Sequence, residues 1–129
     1  MAAVIYLDTH VAVWLYEGRV ELISPRLRAL IEDESALLSP IVALELAYLF
    51  ETGRMSAPAG SLLQTLGRDL GIRLCDLPFA GVVTAALRQS WTRDPFDRII
   101  VAQAAMRRAP LITRDATIRA HYHRALWGH

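Results

Sequence analysis

Short apolar runs alternate with segments of helical periodicity along this chain. The first run, residues 3–7 (AVIYL), is continuous and contains β-branched and aromatic residues, a pattern typical of a buried parallel strand. Asp8 and Thr9 end it, and Thr9 is available to cap a helix that follows. Similar runs recur at residues 36–38, 72–75, 110–113 and 124–127. The alternation predicts an α/β fold, a three-layer α/β/α sandwich with a mainly parallel central sheet.

The segments between these runs carry helix start and stop signals. Ser-Pro pairs precede two of them, and glycines follow several of the predicted ends, as expected for helix termini. The predicted helices cover residues 9–16, 25–32, 40–52, 62–70, 79–91, 95–106 and 115–121. No linker or repeat divides the chain, so residues 1–129 are predicted to form one domain.

Compartment and membrane association follow from the apolar runs and the single cysteine. The longest apolar run, residues 41–50, is interrupted by Glu45 and is far shorter than the roughly 20 residues of a membrane span. The N-terminus lacks the basic region of a signal peptide. Cys75 has no partner in the chain and lies in an apolar stretch, which favours a core cysteine over a nucleophile. These observations predict a cytoplasmic protein without membrane contact, and the surplus of apolar residues favours a subunit interface.

The basic residues are all arginine and are concentrated near the C-terminus. The absence of lysine excludes Walker-type NTPases, which need a lysine to hold phosphate. Residues 88–129 carry eight arginines and only three acids, whereas residues 1–87 carry six arginines and ten acids. The three acids of the basic region are Asp94, Asp97 and Asp115. This region indicates either a surface for phosphate groups or a solvated arginine face.

Two acids follow predicted strands. Asp8 ends the first strand, and Asp115 lies just beyond the fourth. In parallel sheets the ligand crevice lies beyond the carboxyl ends of the strands, so both side chains are predicted at one edge of the molecule. Taken singly, each acid can also be explained as a helix N-cap.

Glu45 lies within the most apolar predicted helix, on the same face as Ile41 and Leu49. An unpaired carboxylate buried there is unfavourable, so Glu45 must be paired, protonated or bound to a cation. A salt bridge to an arginine is one explanation. A metal site is the other, because side chains on a helix lean towards its N-terminus and here towards the strand ends.

Asp94 and Asp97 flank the start of another helix, in the segment DPFD. Asp94 is suited to cap that helix. Asp97, inside the first turn, is predicted to point past the N-terminus into the crevice, because a second cap would be redundant. Asp8, Glu45, Asp97 and Asp115 together form a set of oxygen ligands suited to Mg²⁺ or Mn²⁺. Zinc is disfavoured by the single cysteine and by the spacing of His121 and His123. His10, two residues after Asp8, is expected to be a core or surface histidine, with a supporting donor or a substrate contact as the alternative.

Four ordered segments strongly resemble the PIN-domain family, and within it the VapC-type toxins of type II toxin–antitoxin pairs. They are LDTHVAVWL, SPIVALELAYLFETGR, RDPFDRIIVAQA and PLITRDATIRAHY. The resemblance implies a divalent-metal ribonuclease whose four acids are Asp8, Glu45, Asp97 and Asp115. It also implies that Thr113 supports the site, and Thr9 and Asp94 are further supporting candidates. A homodimer and a cognate antitoxin are implied in the same way.

The predicted function is therefore a Mg²⁺-dependent endoribonuclease toxin that cleaves RNA by metal-activated water. Arg93, Arg98 and Arg114 lie beside the acids and are candidates for binding the RNA backbone, although a solvated face or an antitoxin-binding surface explains them equally well. Two alternatives stay open. One is the same scaffold in RNA processing or DNA repair without an antitoxin, and the other is a non-catalytic RNA- or protein-binding module whose acids are helix caps.

Overall fold

The computed structural model describes residues 3–128. Within them the chain forms five strands and seven α-helices, in the predicted alternation. The strands are β1 (Val4–Leu7), β2 (Ser35–Leu38), β3 (Arg73–Leu74), β4 (Leu111–Ile112) and β5 (Ala125–Leu126). The helices are α1 (Thr9–Tyr16), α2 (Pro25–Asp33), α3 (Ile41–Glu51), α4 (Ala59–Leu70), α5 (Phe79–Ala86), α6 (Pro95–Met106) and α7 (Ala116–His121).

The strands form one sheet in the order β3-β2-β1-β4-β5, and all four pairings are parallel. The chain therefore builds the sheet outward from β1 in one direction and then adds β4 and β5 on the other side. This reversal places a topological switch point between β1 and β4, where open parallel sheets bind their ligands. The register pairs Leu7 with Ile112, so the residues that follow, Asp8 and Thr113, leave the sheet side by side. The predicted α/β class with a parallel central sheet is confirmed.

The core consists of the central strands and the helix faces that cover them. Tyr6, Leu7, Leu111 and Ile112 are fully buried, as expected for strands that are covered on both faces. Each such aliphatic side chain contributes about 1.5–3 kcal/mol of transfer free energy. Cys75 is buried and free, and its Sγ lies 3.0 Å from the Tyr6 hydroxyl. The prediction of a core cysteine is confirmed.

Two local predictions differ from the structure. Helix α5 was predicted to continue to Trp91 but ends at Ala86, because the Arg98 guanidinium of α6 donates to the Ala86 and Leu87 carbonyls at that end. Helix α1 is capped by Asp8, not by Thr9, which is its first residue. The Thr9 hydroxyl is thereby available to a neighbouring helix.

Between residues 3 and 128, no helix combines the length and the apolar character that a membrane crossing requires.

Candidate functional site

Asp8 and Thr113 meet where β1 and β4 end. The backbone N–H of Asp8 donates to the Ile112 carbonyl at 3.0 Å, which continues the parallel pairing by one residue. The Thr113 hydroxyl donates to Asp8 Oδ2 at 2.6 Å and accepts from the backbone N–H of Asp115 at 3.0 Å. Both side chains are buried. Thr113 therefore fixes the Asp8 carboxylate and the start of α7 at once.

Thr9 connects Asp8 with Glu45. Its backbone N–H donates to Asp8 Oδ1 at 2.7 Å, and its hydroxyl donates to Glu45 Oε1 at 2.5 Å. Glu45 is half-buried on α3. None of the ion pairs among residues 3–128 involves Glu45, so the salt-bridge explanation for this carboxylate does not hold within the described chain.

Asp94 is a helix cap, as predicted, and so is Asp115, for which a cap was the alternative to a metal ligand. Asp94 Oδ1 accepts from the backbone N–H groups of Phe96 and Asp97 at 2.9 and 3.3 Å. Asp115 Oδ1 accepts from the Ile118 N–H at 2.9 Å. Both caps are exposed, and both stand at the edge where β1 and β4 end. The cap role fixes their position there and leaves their second carboxylate oxygens for other contacts.

Asp97 occupies the centre of the acidic cluster, which comprises Asp8, Glu45, Asp94, Asp97 and Asp115. Its pKa is raised to about 7, first by burial and then by the charges of the four other members. Among residues 3–128 its carboxylate has no hydrogen-bond partner, whereas each of the other four accepts at least one. Asp97 is thus half-buried, surrounded by negative charge and not held by a donor.

Burial is also the largest cause of the pKa shifts of Asp8 and Glu45, the two carboxyls that are hydrogen-bonded to threonine. Burial raises the pKa of Asp8, and the hydrogen bonds from Thr113 and Thr9 lower it in part. Burial likewise raises the pKa of Glu45, the Thr9 hydrogen bond opposes it, and the charges of Asp8 and Asp94 add to it. The cluster therefore favours protons, or another cation, as its counter-charge.

The donor set fits a hard divalent cation. It supplies several carboxylate oxygens with neither sulfur nor a converging pair of histidines, which suits Mg²⁺ or Mn²⁺. Within residues 3–128 no three His, Cys, Asp or Glu side chains are already arranged as a complete metal site. An ion would therefore have to draw these carboxylates together, and Asp97 has no hydrogen bond that resists such a movement.

Two cavities open on either side of the cluster, and His10 lines both. One, of about 300 Å³, is lined by Asp8, His10, Trp14, Arg114 and Asp115. The other, of about 540 Å³, has Glu45 and Asp94 on its wall together with the Tyr48 and Phe96 rings, whose centroids are 6.2 Å apart. Sequence reasoning missed these aromatic walls. For the smaller cavity a signal was available, since His10 and Trp14 are four residues apart and therefore lie on the same face of α1.

The three candidate arginines differ in their surroundings. Arg114 lines the smaller cavity, with its guanidinium 5.9 Å from the centre of the Trp14 ring. Arg93 is exposed and donates to the Ser90 carbonyl at 3.0 Å. Arg98 uses Nε and Nη2 to hold the end of α5. The structure thus brings Arg114 to the acidic cluster and gives Arg98 a structural role.

Comparison with known proteins gives consistent similarities. A family model described as PIN domain matches residues 5–123. Ribonuclease VapC22 of Mycobacterium tuberculosis is 32% identical over 124 residues, covering 92% of each chain. The structure of VapBC2 from Rickettsia felis bound to a DNA fragment from their promoter is similar with a TM-score of 0.65, at 17% identity and 92% coverage of both chains. VapBC-1 from nontypeable Haemophilus influenzae has a TM-score of 0.64 at 18% identity, covering 98% of this chain and 97% of that one.

Proposed function

This chain belongs to the PIN-domain family, and from that premise we propose that it is a divalent-metal endoribonuclease that acts as the toxin of a toxin–antitoxin pair. The observation that carries the proposal is the environment of Asp97, a carboxyl that accepts no hydrogen bond from residues 3–128 and lies among four other acids at the switch point of the sheet. Such an arrangement is unfavourable without a counter-charge and is useful for holding a cation against a phosphodiester. The similarity to Ribonuclease VapC22 supports RNA as the substrate.

We assign the metal-binding role to Asp8, Glu45, Asp97 and Asp115, with Mg²⁺ as the proposed cation and Mn²⁺ as an alternative. When bound, the cation supplies Lewis-acid activation of water and neutralises charge on the phosphate. Thr113 and Thr9 orient the Asp8 and Glu45 carboxylates through the hydrogen bonds described above. Asp94 positions the first turn of α6, and with it Asp97. An unprotonated member of the cluster accepts the proton that the attacking water loses.

Arginines beside the cluster bind the RNA backbone in this proposal. Arg114 is the best placed of them, because it shares a cavity with Asp8 and Asp115. Arg93 is exposed two residues before Pro95. Arg98 retains only the part of its guanidinium that does not hold α5. A planar guanidinium matches two phosphate oxygens, which makes arginine well suited to this role.

Replacing Arg114 with glutamine is expected to weaken RNA binding and to reduce its salt dependence. One lost phosphate contact lowers the slope of log K against log salt by about 0.7 for single-stranded RNA. Binding of a labelled oligonucleotide across a salt series, in EDTA to prevent cleavage, measures this slope. Arg68→Gln is the matched control, because Arg68 pairs with Asp69 on α4, outside the acidic cluster. Equal slopes for the wild type and Arg114→Gln would remove Arg114 from the RNA surface.

We further propose an antitoxin partner and a homodimer. The Rickettsia felis and Haemophilus influenzae structures are VapBC assemblies, which supports a protein partner of the same kind. Leu44, Phe79 and Leu87 are 60%, 71% and 68% exposed, and large apolar side chains at such exposure favour association. Residues 1–129 act as one domain in the cytoplasm in this proposal.

Expression of this chain alone in a bacterium tests the toxin proposal. The wild type is expected to arrest growth and Asp8→Asn is expected not to, because asparagine keeps the cap and the size of the side chain but removes the charge that would hold the cation. Purified wild-type protein should cleave RNA when Mg²⁺ or Mn²⁺ is added and stop in EDTA. Circular dichroism of the purified variant checks that it is folded.

The outcomes also separate the rival functions. Equal growth arrest by both proteins would favour a non-catalytic binding module with acids that serve as helix caps. Cleavage in vitro without growth arrest would favour a nuclease of RNA processing or DNA repair that needs no antitoxin. Cleavage of a DNA substrate of matched sequence would then favour DNA repair, and cleavage of RNA alone would favour RNA processing.

A further inference from the structure

Trp91 and His121 form a stacked ring pair. Their centroids are 4.8 Å apart and their planes lie 6° from parallel. The other aromatic contacts within the described chain are tilted or edge-on. Trp91 lies in the loop before α6 and His121 at the end of α7, so the contact joins two segments that are 30 positions apart in the chain.

Both rings of this ring pair are oriented by hydrogen bonds. Trp91 Nε1 donates to Gln89 Oε1 at 2.7 Å. His121 Nδ1 lies 2.9 Å from the Thr117 carbonyl oxygen, and because a carbonyl only accepts, Nδ1 carries the proton. The rings thus need no ordering before a third ring is added, which lowers the entropic cost of binding one.

His121 remains exposed although Trp91 covers one of its faces. The accessible surface of the imidazole therefore includes the face opposite Trp91. Trp91 is half-buried and packs against the core, so it supports the imidazole from beneath. A flat ligand placed on the open face would extend the stack to three rings.

The ring pair is attached to the elements that carry the acidic cluster. Trp91 is three residues before Asp94, the cap of α6, and His121 ends the helix that Asp115 caps. At about 1.5 Å per residue, His121 lies about 9 Å along α7 from Asp115. A short stretch of nucleotides spans such a distance. A strand that crosses the acidic cluster can therefore continue onto the ring pair.

The surroundings of the ring pair are basic. Arg93 follows Trp91 by two positions, Arg119 precedes His121 by two, and both are exposed. Arg119 Nη2 donates to the Arg114 carbonyl at 3.2 Å. Residues 116–128 contain no acid. Exposed arginines next to an open aromatic face are the combination that single-stranded nucleic acid binds, through phosphates and through stacked bases.

We infer that the ring pair is a stacking site for one unpaired RNA base beside the cleaved phosphodiester. The inference rests on the proposed function for the identity of the ligand, and it adds a contact that positions the strand. Stacking is tolerant of base identity, because every base has a flat π-face. The ring pair is therefore expected to contribute affinity for single strands and no strong preference among the bases.

A binding experiment without metal separates this inference from the nuclease proposal. The probe is a fluorescein-labelled oligoadenylate of about eight nucleotides, and its partner is an oligomer of the same length with abasic positions, which has the same phosphates. Fluorescence anisotropy in EDTA measures both affinities. His121→Ala is expected to weaken oligoadenylate binding by about five- to tenfold or more, since one stacked base contributes about 1–3 kcal/mol, and to leave abasic binding unchanged. His121→Phe, which retains a flat ring without a charge, should restore most of the affinity.

Controls for folding and for phosphate contacts distinguish the possible results of this experiment. Thermal melting of the variants checks folding, and Arg119→Gln should weaken both probes because phosphates are present in each. Equal binding of oligoadenylate by the wild type and His121→Ala overturns the inference, even if the protein cleaves RNA. An equal loss for both probes, or no recovery in His121→Phe, shows that the His121 ring does not act by stacking on a base and also overturns the inference. A protein that binds oligoadenylate more tightly than the abasic oligomer, and loses this difference in His121→Ala, but does not cleave RNA, would support the stacking site and reject the nuclease.

Discussion

Replacing Asp97 with asparagine is expected to lower metal-dependent RNA cleavage by about 10²–10³-fold or more while the protein stays folded. Asp97 is the member of the acidic cluster whose carboxylate accepts no hydrogen bond from residues 3–128, and four other acids act on it. Asparagine has nearly the same size, so packing around α6 is preserved. It lacks the charge that would hold a cation, so the loss should fall on the metal-dependent step. Initial rates on a labelled RNA in Mg²⁺ and in Mn²⁺ measure the effect.

Asp94→Asn is the matched control, two positions before Phe96 in the same segment. Asparagine caps a helix as well as aspartate does, and the backbone N–H groups of Phe96 and Asp97 would retain their acceptor. Most of the cleavage activity should therefore remain. If both variants lost activity equally and melted like the wild type, Asp94 would have to be counted among the metal ligands.

The metal-free protein is expected to become less stable as the pH rises from about 4 to 7, and Asp97→Asn should remove much of this dependence. Burial and the neighbouring acids raise the pKa of Asp97 to about 7 in the folded state, against 3.8 for an unperturbed aspartate. The folded state therefore binds the proton more tightly than the unfolded state does. The stabilisation from the protonated carboxyl is present below pH 4 and is lost as the pH rises through 7. The variant should consequently be more stable than the wild type at pH 8.

The size of this effect is limited by solvent, because Asp97 is only half-buried. The ideal value for the full shift, 1.36 kcal/mol per pKa unit, must be discounted for screening, which leaves about 1–2 kcal/mol. Denaturant unfolding in EDTA at several pH values measures it. Asp8 and Glu45 shift in the same direction and remain in the variant, so the difference between wild type and variant reports Asp97 together with its coupling to them.

Addition of Mg²⁺ or Mn²⁺ at pH 8 gives a second readout of the same repulsion. A cation that binds only the folded state stabilises it by mass action. The wild type should gain stability, and Asp97→Asn should gain much less. Parallel pH curves for the two proteins, or equal stabilisation by metal, would show that Asp97 is not the carboxyl on which the charges of the cluster act.

Much of the fold could be predicted because its signals are local. The run AVIYL, the Ser-Pro pairs and the glycines after helices act through neighbouring residues, and the strands and helices form near where they were predicted. The end of α5 was predicted wrongly because it depends on a contact between residues that are distant in the sequence. Its end at Ala86 depends on Arg98, which lies 12 positions further along and contacts it only after α5 and α6 have packed together.

The candidate site likewise has features that could be predicted from the sequence and features that could not. Acids that follow strands or begin helices can be identified in the sequence, so Asp8, Asp97 and Asp115 were predicted at the edge where they lie, and Asp94 was predicted as the cap of α6. The hydrogen bond from Thr9 to Glu45 could not be predicted, since a threonine after an aspartate looks like a cap. Only the packing of α1 against α3 redirects that hydroxyl to Glu45.

The sequence by itself determined which residues form strands and helices and that carboxylates stand at their ends, because backbone geometry, capping and apolar periodicity act over a few residues. The tertiary structure decided the strand order β3-β2-β1-β4-β5, and with it the contact between Asp8 and Thr113, which are 105 positions apart. It also decided the pKa of Asp97 and the stacking of Trp91 on His121. Charge repulsion, desolvation and ring contact depend on distances in space, and the chain sets those distances only once the sheet and its helices have packed.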